Sequence, residues 1–401
     1  MHSVMHPSIF ALALWGGLHA AVSPVRSATI SGHVYVDRNG NGRYDVGERG
    51  LHGVAVSNQD QVVVSDVHGA YQLSGPGSTG VLFVSVPSGY ASRGAFYRTI
   101  DSSASNRGPV DFAMAPMPAR QTVTFIHASD THISDASLPR TKRLRALIDS
   151  IQPAFVIISG DLVRDALRVG EAEATGYYEL FQREMALIGS PVWTIPGNHE
   201  AFGIERDKSG VKADHRLYGR VMYRHYRGPD YYSFNAGGVH FVGLNSVDID
   251  DTRYYGHVDS AQLAWLERDL AVVPRTMPVV TFNHIPFFSS MESVHGLSEA
   301  PPAPSIITIG GKAQFRHTVS NASEVLSKLK NHPYPLALAG HVHVRERLRF
   351  EGTTTRFEQS AAIVAPTATA GVRFTSGITV YRITGGRIDD GRFVPLGLAE
   401  K

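Results

Sequence analysis

Seven side chains of metal-ligand type fall in five short, ordered clusters between Asp130 and His343. The clusters are Ser129-Asp130-Thr131-His132, Gly160-Asp161, Gly197-Asn198-His199-Glu200, Asn283-His284 and Gly340-His341-Val342-His343. A carboxylate can give one oxygen to each of two cations, while imidazole and amide groups donate without adding charge. Two carboxylates facing two divalent ions leave the pair strongly Lewis acidic and attractive to an anionic phosphate. Ions about 3.5–4 Å apart can share a water, lower its pKa and stabilise both the attacking and the leaving oxygen of an in-line displacement.

The clusters need elements that bring them together, and each follows an apolar run. Val123 to Ala128 precedes Asp130, Phe155 to Ile158 precedes Asp161, Val192 to Ile195 precedes Asn198, Val279 to Phe282 precedes His284, and Leu336 to Ala339 precedes His341. These runs read as five strands that end at Gly, Ser or Asp turn formers and release their ligands into loops. Helical periods over Arg140 to Ile151, Gly170 to Leu187 and Ser260 to Leu270 alternate with them. In such β/α architectures ligands bind at the carboxyl ends of the strands.

The five clusters, in this order, resemble the motifs of the calcineurin-like metallophosphoesterase superfamily: Asp-x-His, Gly-Asp, Gly-Asn-His-Asp/Glu, His and Gly-His-x-His. One motif alone would be weak; five in sequence over Thr122 to Arg345 are specific. The resemblance implies an α/β fold, a four-layer αββα sandwich of two mixed sheets with helices outside. It also implies a dinuclear hydrolase that cleaves phosphomonoesters or phosphodiesters by attack of a hydroxide held between two ions. In its ligand scheme Asp161 bridges, Asp130, His132 and His343 complete one site, and Asn198, His284 and His341 complete the other. The matching histidine, His199, stands over the phosphate, where a pKa near neutrality suits charge stabilisation or protonation of the leaving oxygen. Glu200 is expected either to orient His199 or to serve as a supporting or surface carboxylate.

Departures from subfamily patterns narrow the reading. Purple acid phosphatases resemble the chain less closely at two places: their Tyr ligand three residues after the bridging Asp is replaced by Arg164, and His132 is a residue they lack. Serine/threonine phosphatases carry an Arg before the Gly-Asn-His motif, where Pro196 stands, and an Asp-Arg-Gly that is absent. The likeness is therefore to bacterial phosphodiesterase-like and broad-specificity phosphatase members. With no cysteine in the chain, thiolate sites are excluded, and the His, carboxylate and amide donors suit Mn, Fe, Zn or Co. Two alternatives stand beside this reading: a serine/threonine protein phosphatase, and an envelope-associated binding protein with a vestigial phosphoesterase site.

Ile9 to Leu18 is an apolar run too short to span a bilayer, followed by small residues through Ala28, as in a signal peptide without a positive leading region. Residues 1–28 are expected to be that signal, and the protein to be exported to the periplasm or beyond. Residues 29–118 form a β-rich stretch with six candidate strands: Thr29 to Val36, Gly53 to Ser57, Val62 to Ser65, Ala70 to Leu73, Leu82 to Val86 and Val110 to Met114. On Gly32-His33-Val34-Tyr35-Val36-Asp37, Gly50 to Val56 and Asp66 to Tyr71 it resembles prealbumin-like or B-type repeat domains of bacterial surface proteins, which implies a small all-β sandwich. Within it, Asp37, Asn39, Asn41, Arg43 through its carbonyl, Asp45 and Glu48 fall at calcium-loop spacing, with Gly42 at the turn. A solvated turn of the same residues is the competing reading.

Residues 119–345 are the expected catalytic domain, and 346–401 a β-rich C-terminal region whose opening strands could finish the second catalytic sheet. That region offers strands at Arg347 to Phe350, Thr354 to Glu358, Ile378 to Ile383 and Gly391 to Pro395. The long connection Ser289 to Phe315 follows His284 closely, and a loop of that length is expected to rim the active site. Asp165, Asp248, Asp250 and Asp251 read as solvated loop carboxylates; Tyr231, Tyr232, Phe287 and Phe288 read as core rather than as a base-stacking platform. At 401 residues, 43% hydrophobic and a net charge of +2, the chain can bury a large core and carries no basic run that would make a nucleic-acid groove. A phosphate ester is the expected partner, with no transmembrane span after the leader.

Overall fold

The computed structural model describes residues 29–100, 108–300, 304–369 and 371–398. The expected signal peptide lies outside them. Among the described residues no helix is long and apolar enough to cross a membrane.

Two six-stranded mixed sheets carry the candidate ligands. The first runs in the order Val192–Thr194, Phe155–Ile158, Thr122–Ala128, Gly377–Thr384 and Arg387–Ile388, with Arg392–Pro395 also paired to Gly377–Thr384. The second runs Tyr232–Ala236, Val239–Gly243, Val279–Phe282, Leu336–Ala339, Arg356–Gln359 and Glu346–Leu348. The strands that precede the five motifs pair in parallel with one another within each sheet. Phe155–Ile158, Val279–Phe282 and Leu336–Ala339 are apolar or nearly so and buried at each position, because both of their faces are covered.

Aromatic rings fill the space between the sheets. Phe125 and Phe155 stack at 5.1 Å on the first, Phe234 and Phe241 at 5.0 Å on the second, and Phe155 meets Phe241 edge-on at 5.2 Å. Truncating such a ring to Ala costs about 3–5 kcal/mol. On the far face of the first sheet, Ile126, Val156 and Ile158 share a core with Ile148 of helix Leu138–Ile151 and Phe181 of helix Glu171–Ala186. Helices Ser260–Ala271 and Ala322–Leu329 contribute Leu266 and Val325 to the core that also holds Val280 and Leu338 of the second sheet. Asp259 caps the former by accepting from the Gln262 amide at 2.9 Å.

The strands after Arg345 do not stand apart as a region of their own. Glu346–Leu348 and Arg356–Gln359 extend the second sheet, as foreseen for its opening strands, and Gly377–Thr384 is inserted beside the first strand of the first sheet. The Ser289 to Phe315 connection is not structureless either. It carries a short helix, Met291–His295, and a hairpin of Ile306–Ile309 and Lys312–Phe315.

The β-rich N-terminal stretch forms two four-stranded sheets. One is ordered Ala70–Ser74, Thr29–Val36, Phe112–Pro116, Tyr90–Ser92, the other Val62–Val64, Ala55–Ser57, Val81–Val84, Tyr97–Thr99. Tyr90–Ser92 and Tyr97–Thr99 were not among the six expected strands: each is a three-residue edge made by its neighbour's hydrogen bonds rather than by alternation of its own. The stretch docks on the body of the two larger sheets through polar pairs. Gln59 Nε2 donates to the Tyr231 carbonyl at 2.8 Å, Trp265 Nε1 to Ser57 Oγ at 3.2 Å, and the Asn235 amide to the Val86 carbonyl at 2.8 Å. Tyr231, Tyr232 and Phe287 are core residues, as expected.

Candidate metal centre

The carboxyl ends of both sheets meet at one cleft. Three strands of the first sheet deliver Asp130 and His132, Asp161, and Asn198 and His199; two of the second deliver His284, and His341 and His343. Asp130, His132, Asp161 and His343 form one group whose ligand atoms all lie within 4.8 Å of one another, and Asp161, His284 and His341 form a second. Asp161 belongs to both. Asn198 Oδ1 lies 3.2 Å from His284 Nε2 and so joins the second group.

This convergence strains the backbone. Eight non-glycine residues adopt positive φ among those described, and five are in the cluster: Asp130 at 56°, His132 at 37°, Asp161 at 48°, His341 at 76° and His343 at 59°. Each such residue costs of order 1–3 kcal/mol and persists because its surroundings hold it. The motif glycines have a separate reason. A Cβ on Gly197 would fall 2.2 Å from Asp161 Oδ1, and one on Gly340 would fall 2.6 Å from Asp130 Oδ2. Only hydrogen at those positions lets the loops close on the two carboxylates.

Each of three histidines has one ring nitrogen at a backbone carbonyl and turns the other inward. His284 Nδ1 lies 2.8 Å from the Ser159 carbonyl, His341 Nε2 3.1 Å from that of Arg316, and His132 Nδ1 3.4 Å from that of Arg164. Facing inward, His132 Nε2 lies 3.2 Å from His343 Nε2, and His341 Nδ1 lies 3.2 Å from His284 Nε2. Ring nitrogens that face one another around carboxylates, with their far nitrogens anchored on carbonyls, are the arrangement of imidazole metal ligands. The donor set of imidazoles, carboxylates and an amide fits divalent cations.

The electrostatics agree. Burial pushes Asp161 upward, yet His284, His199 and His132 hold it well below the usual carboxylate range; Asp130 is likewise lowered by His343 and His284 despite its burial. His284 is raised to about 9: burial opposes its charge, but Asp161 and Asp130 favour it more strongly. His132 falls to about 4, chiefly through burial. The surrounding imidazoles thus favour the charged forms of both buried carboxylates, as a bound cation would.

His199 sits at the cleft with its Nδ1 2.6 Å from the Arg164 carbonyl, which leaves Nε2 toward Asp161 Oδ2 at 3.9 Å. Glu200 does not orient it. The Glu200 carboxylate accepts from the Gly197 amide at 2.6 Å and the Val163 amide at 2.9 Å, pinning two ligand loops together from below. Burial and the nearby Asp161 push it up to about 8. Asp165 pairs with Arg168 at 3.0 Å and lies 4.0 Å from His199 Nδ1. Asp248 is no solvated carboxylate, because it holds Arg220 at 2.6 Å and accepts from Tyr255 at 3.1 Å beside His257.

Further residues complete the cleft, whose volume is about 1040 Å³. His317 stacks on His341 with its Nδ1 2.9 Å from His341 Nε2, and Tyr254 meets the same ring edge-on. Glu292 and Ser289, from the connection expected to rim the site, line the cleft, as does Arg164. Arg164 and the connection stand out in the sequence, but nothing local marks His317, Tyr254 or Glu292 as cleft residues; tertiary placement does.

The residues of the calcium-type loop lie apart from the cleft, in the N-terminal stretch. Asp37 is buried and accepts from the Gly40 amide at 2.7 Å and the Gly42 amide at 3.1 Å. Asn39 and Asn41 each donate a side-chain amide to Asp45 Oδ2, at 2.9 and 2.7 Å. Glu48 accepts from the Arg38 and Asp45 amides, and Arg43 is exposed.

Comparison with known proteins gives the same picture as the geometry. The family profile for calcineurin-like phosphoesterase matches residues 123–345, and that for the N terminal of calcineurin-like phosphoesterase matches residues 38–117. The chain is 29% identical over 164 residues to purple acid phosphatase 23 of Arabidopsis thaliana, covering 39% of this chain and 29% of that protein. It is 24% identical over 209 residues to a 3',5'-cyclic-nucleotide phosphodiesterase of Nostoc sp., covering 52% of this chain and 60% of that protein. Of solved structures, a dimetal phosphatase from Danio rerio aligns with a TM-score of 0.45 at 16% identity, covering 68% of this chain and 96% of that one. The chain thus spans less than two thirds of the length of these two curated relatives. With the catalytic profile covering more than half of its length and all five clusters within that span, the chain belongs to the calcineurin-like phosphoesterase family.

Proposed function

We propose that the chain is a dinuclear metal-dependent hydrolase of phosphate esters. The observation that carries this is the Asp161 carboxylate, common to both ligand groups. In this reading Asp130, His132 and His343 hold one ion with Asp161, and Asn198, His284 and His341 hold the other. Mn, Fe, Zn or Co suit those donors. Bound ions of this kind supply Lewis acidity at the phosphoryl oxygens and lower the pKa of water. The two sheets with their flanking helices are read as the four-layer αββα sandwich of the family, and the N-terminal pair of sheets as a β-sandwich.

The chain's own residues then divide the work. His199 donates Nδ1–H to the Arg164 carbonyl, so Nε2 is the nitrogen that meets the phosphate, stabilising its charge or delivering a proton to the leaving oxygen. Arg164 lines the cleft, makes no ion pair among the described residues, and offers its guanidinium to the phosphate. The curated relatives include a phosphatase and a phosphodiesterase, and both ester classes enter the test. Metal content by mass spectrometry, with initial rates on p-nitrophenyl phosphate and bis-p-nitrophenyl phosphate in the same sample, decides the reading. Close to two transition metals per chain and chelator-sensitive hydrolysis are expected, and the faster ester assigns the class. Less than one metal and no hydrolysis after reconstitution would overturn it in favour of a binding role. Export is proposed from the Ile9 to Leu18 run alone; a fused reporter active only outside the cytoplasm tests it.

A further inference from the structure

Glu292 is a carboxylate without an offset charge in a cleft built for an anion. It lies in the first turn of the short helix Met291–His295, within the connection that rims the site, and lines the same cleft as His132, Asp161 and His199. Its Oε1 is withdrawn from solvent and accepts no hydrogen bond. No lysine, arginine or histidine pairs with it among the described residues, and burial alone raises its pKa. The neighbouring carboxylates are treated otherwise. Asp161 and Asp130 are surrounded by imidazoles, Glu200 by two backbone amides, and Glu346 on the adjoining strand by the hydroxyls of Ser289 and Ser290.

A half-buried carboxylate with one oxygen withdrawn from solvent and no cation beside it repels a phosphate and is a ready acceptor for a cationic group that arrives with the substrate. Arg164 on the cleft can take the phosphate, which leaves Glu292 for the group on the far side of the ester oxygen. A neutral or aryl leaving group would do nothing for the charge. An ammonium group answers both deficits, supplying a positive charge and N–H donors to a carboxylate held out of water. We propose that the cleft selects phosphate esters whose leaving alcohol carries an ammonium group, with Glu292 as the specificity-determining residue. This rests on the phosphoesterase reading above.

The test uses two probes of nearly equal size, O-phosphoethanolamine and ethyl phosphate, which differ by the ammonium. Isothermal calorimetry on the metal-reconstituted full chain should show O-phosphoethanolamine bound about ten-fold or more tightly than ethyl phosphate. Glu292→Ala should collapse that ratio to within about two-fold, and Glu292→Gln, which keeps an acceptor and loses the charge, should leave a ratio of a few-fold, with metal content and melting temperature of both variants held as the check on folding. Equal affinities in the wild type, or a preference that survives Glu292→Ala, would overturn the assignment. Turnover of p-nitrophenyl phosphate by the same sample separates that result from failure of the broader reading: with no hydrolysis and neither ester bound, the phosphoesterase reading falls and the Glu292 assignment falls with it.

Discussion

The chain contains two places where oxygen and nitrogen ligands crowd together, and they are built on opposite principles. At the cleft, side chains arrive from two sheets and five loops, adopt left-handed backbone angles to do so, and aim ring nitrogens at one another. In the loop from Asp37 to Glu48, all of the ligands come from one short segment and accept mainly from its own amides, with Arg93 also 3.5 Å from Asp37. In the first, carboxylates and ring nitrogens converge from distant segments on one space that a divalent cation would fit; in the second, the loop's own amides already occupy most of the ligand atoms. Both places carry ligand-type residues, but one assembles them from distant strands at a cost in backbone strain and the other from a single local turn.

The comparison can be broken at its strongest point first. Asp161→Asn removes a charged donor from both groups at once. It should lower phosphate-ester kcat/KM by about a thousand-fold or more, about 4 kcal/mol, with metal per chain falling below that of the wild type by mass spectrometry. An active variant with full metal content would show that the two groups are not one centre. His199→Ala should cost about a hundred- to a thousand-fold in kcat while metal content stays unchanged, because His199 faces the cleft without belonging to either group. Loss of metal in that variant would place it among the ligands instead.

A third test lies at the seam between the regions. Asp230 is fully buried, holds Arg224 at 2.9 Å and accepts from Gln59 of the N-terminal stretch at 3.3 Å. Although burial opposes its charge, Arg224 and Arg220 keep its pKa below the ordinary value. Its stabilising contribution is therefore present above the ordinary value near 3.8 and is lost as pH falls through the lower folded-state value. Asp230→Ala should destabilise the protein by about 3 kcal/mol at neutral pH in denaturant melts, and the penalty should shrink on acidification toward and below that range. A constant penalty across pH would mean that shape and not charge matters there. The smallest effect is expected from calcium. With most of the ligand atoms already occupied by the loop's own amides, millimolar calcium should shift the melting temperature by less than about 2 °C, under about 1 kcal/mol. A larger rise would make the loop a second metal site and dissolve the contrast.

Much of the cleft was legible before any coordinates. Phe155 to Ile158, Val279 to Phe282 and Leu336 to Ala339 are apolar runs that end at their ligands, and those strands occupy the ranges that the sequence proposes. What was not legible depends on distance in space. Glu200 sits beside His199 in sequence, but the 3-10 turn Asn198–Glu200 directs its carboxylate beneath the loops. His317 is one of 19 histidines, and only the return of the rim connection onto the second sheet stacks it on His341. Gly377–Thr384 was readable as a strand, yet its place at the heart of the first sheet follows from pairing with a segment that no local pattern names.

That pairing joins Thr122 to Thr384, hydroxyl to hydroxyl at 3.0 Å, across 262 residues of chain. A ribosome making this protein in sequence must therefore release some 260 further residues before the strand that leads to Asp130 acquires its second neighbour. The earlier parallel neighbour, Phe155–Ile158, can be reached sooner, but the other edge of Thr122–Ala128 stays open throughout synthesis and is exposed to pairing with other chains. A nascent chain stalled before residue 377 would carry every cleft ligand while the strand that leads to Asp130 still lacked one of its two neighbours.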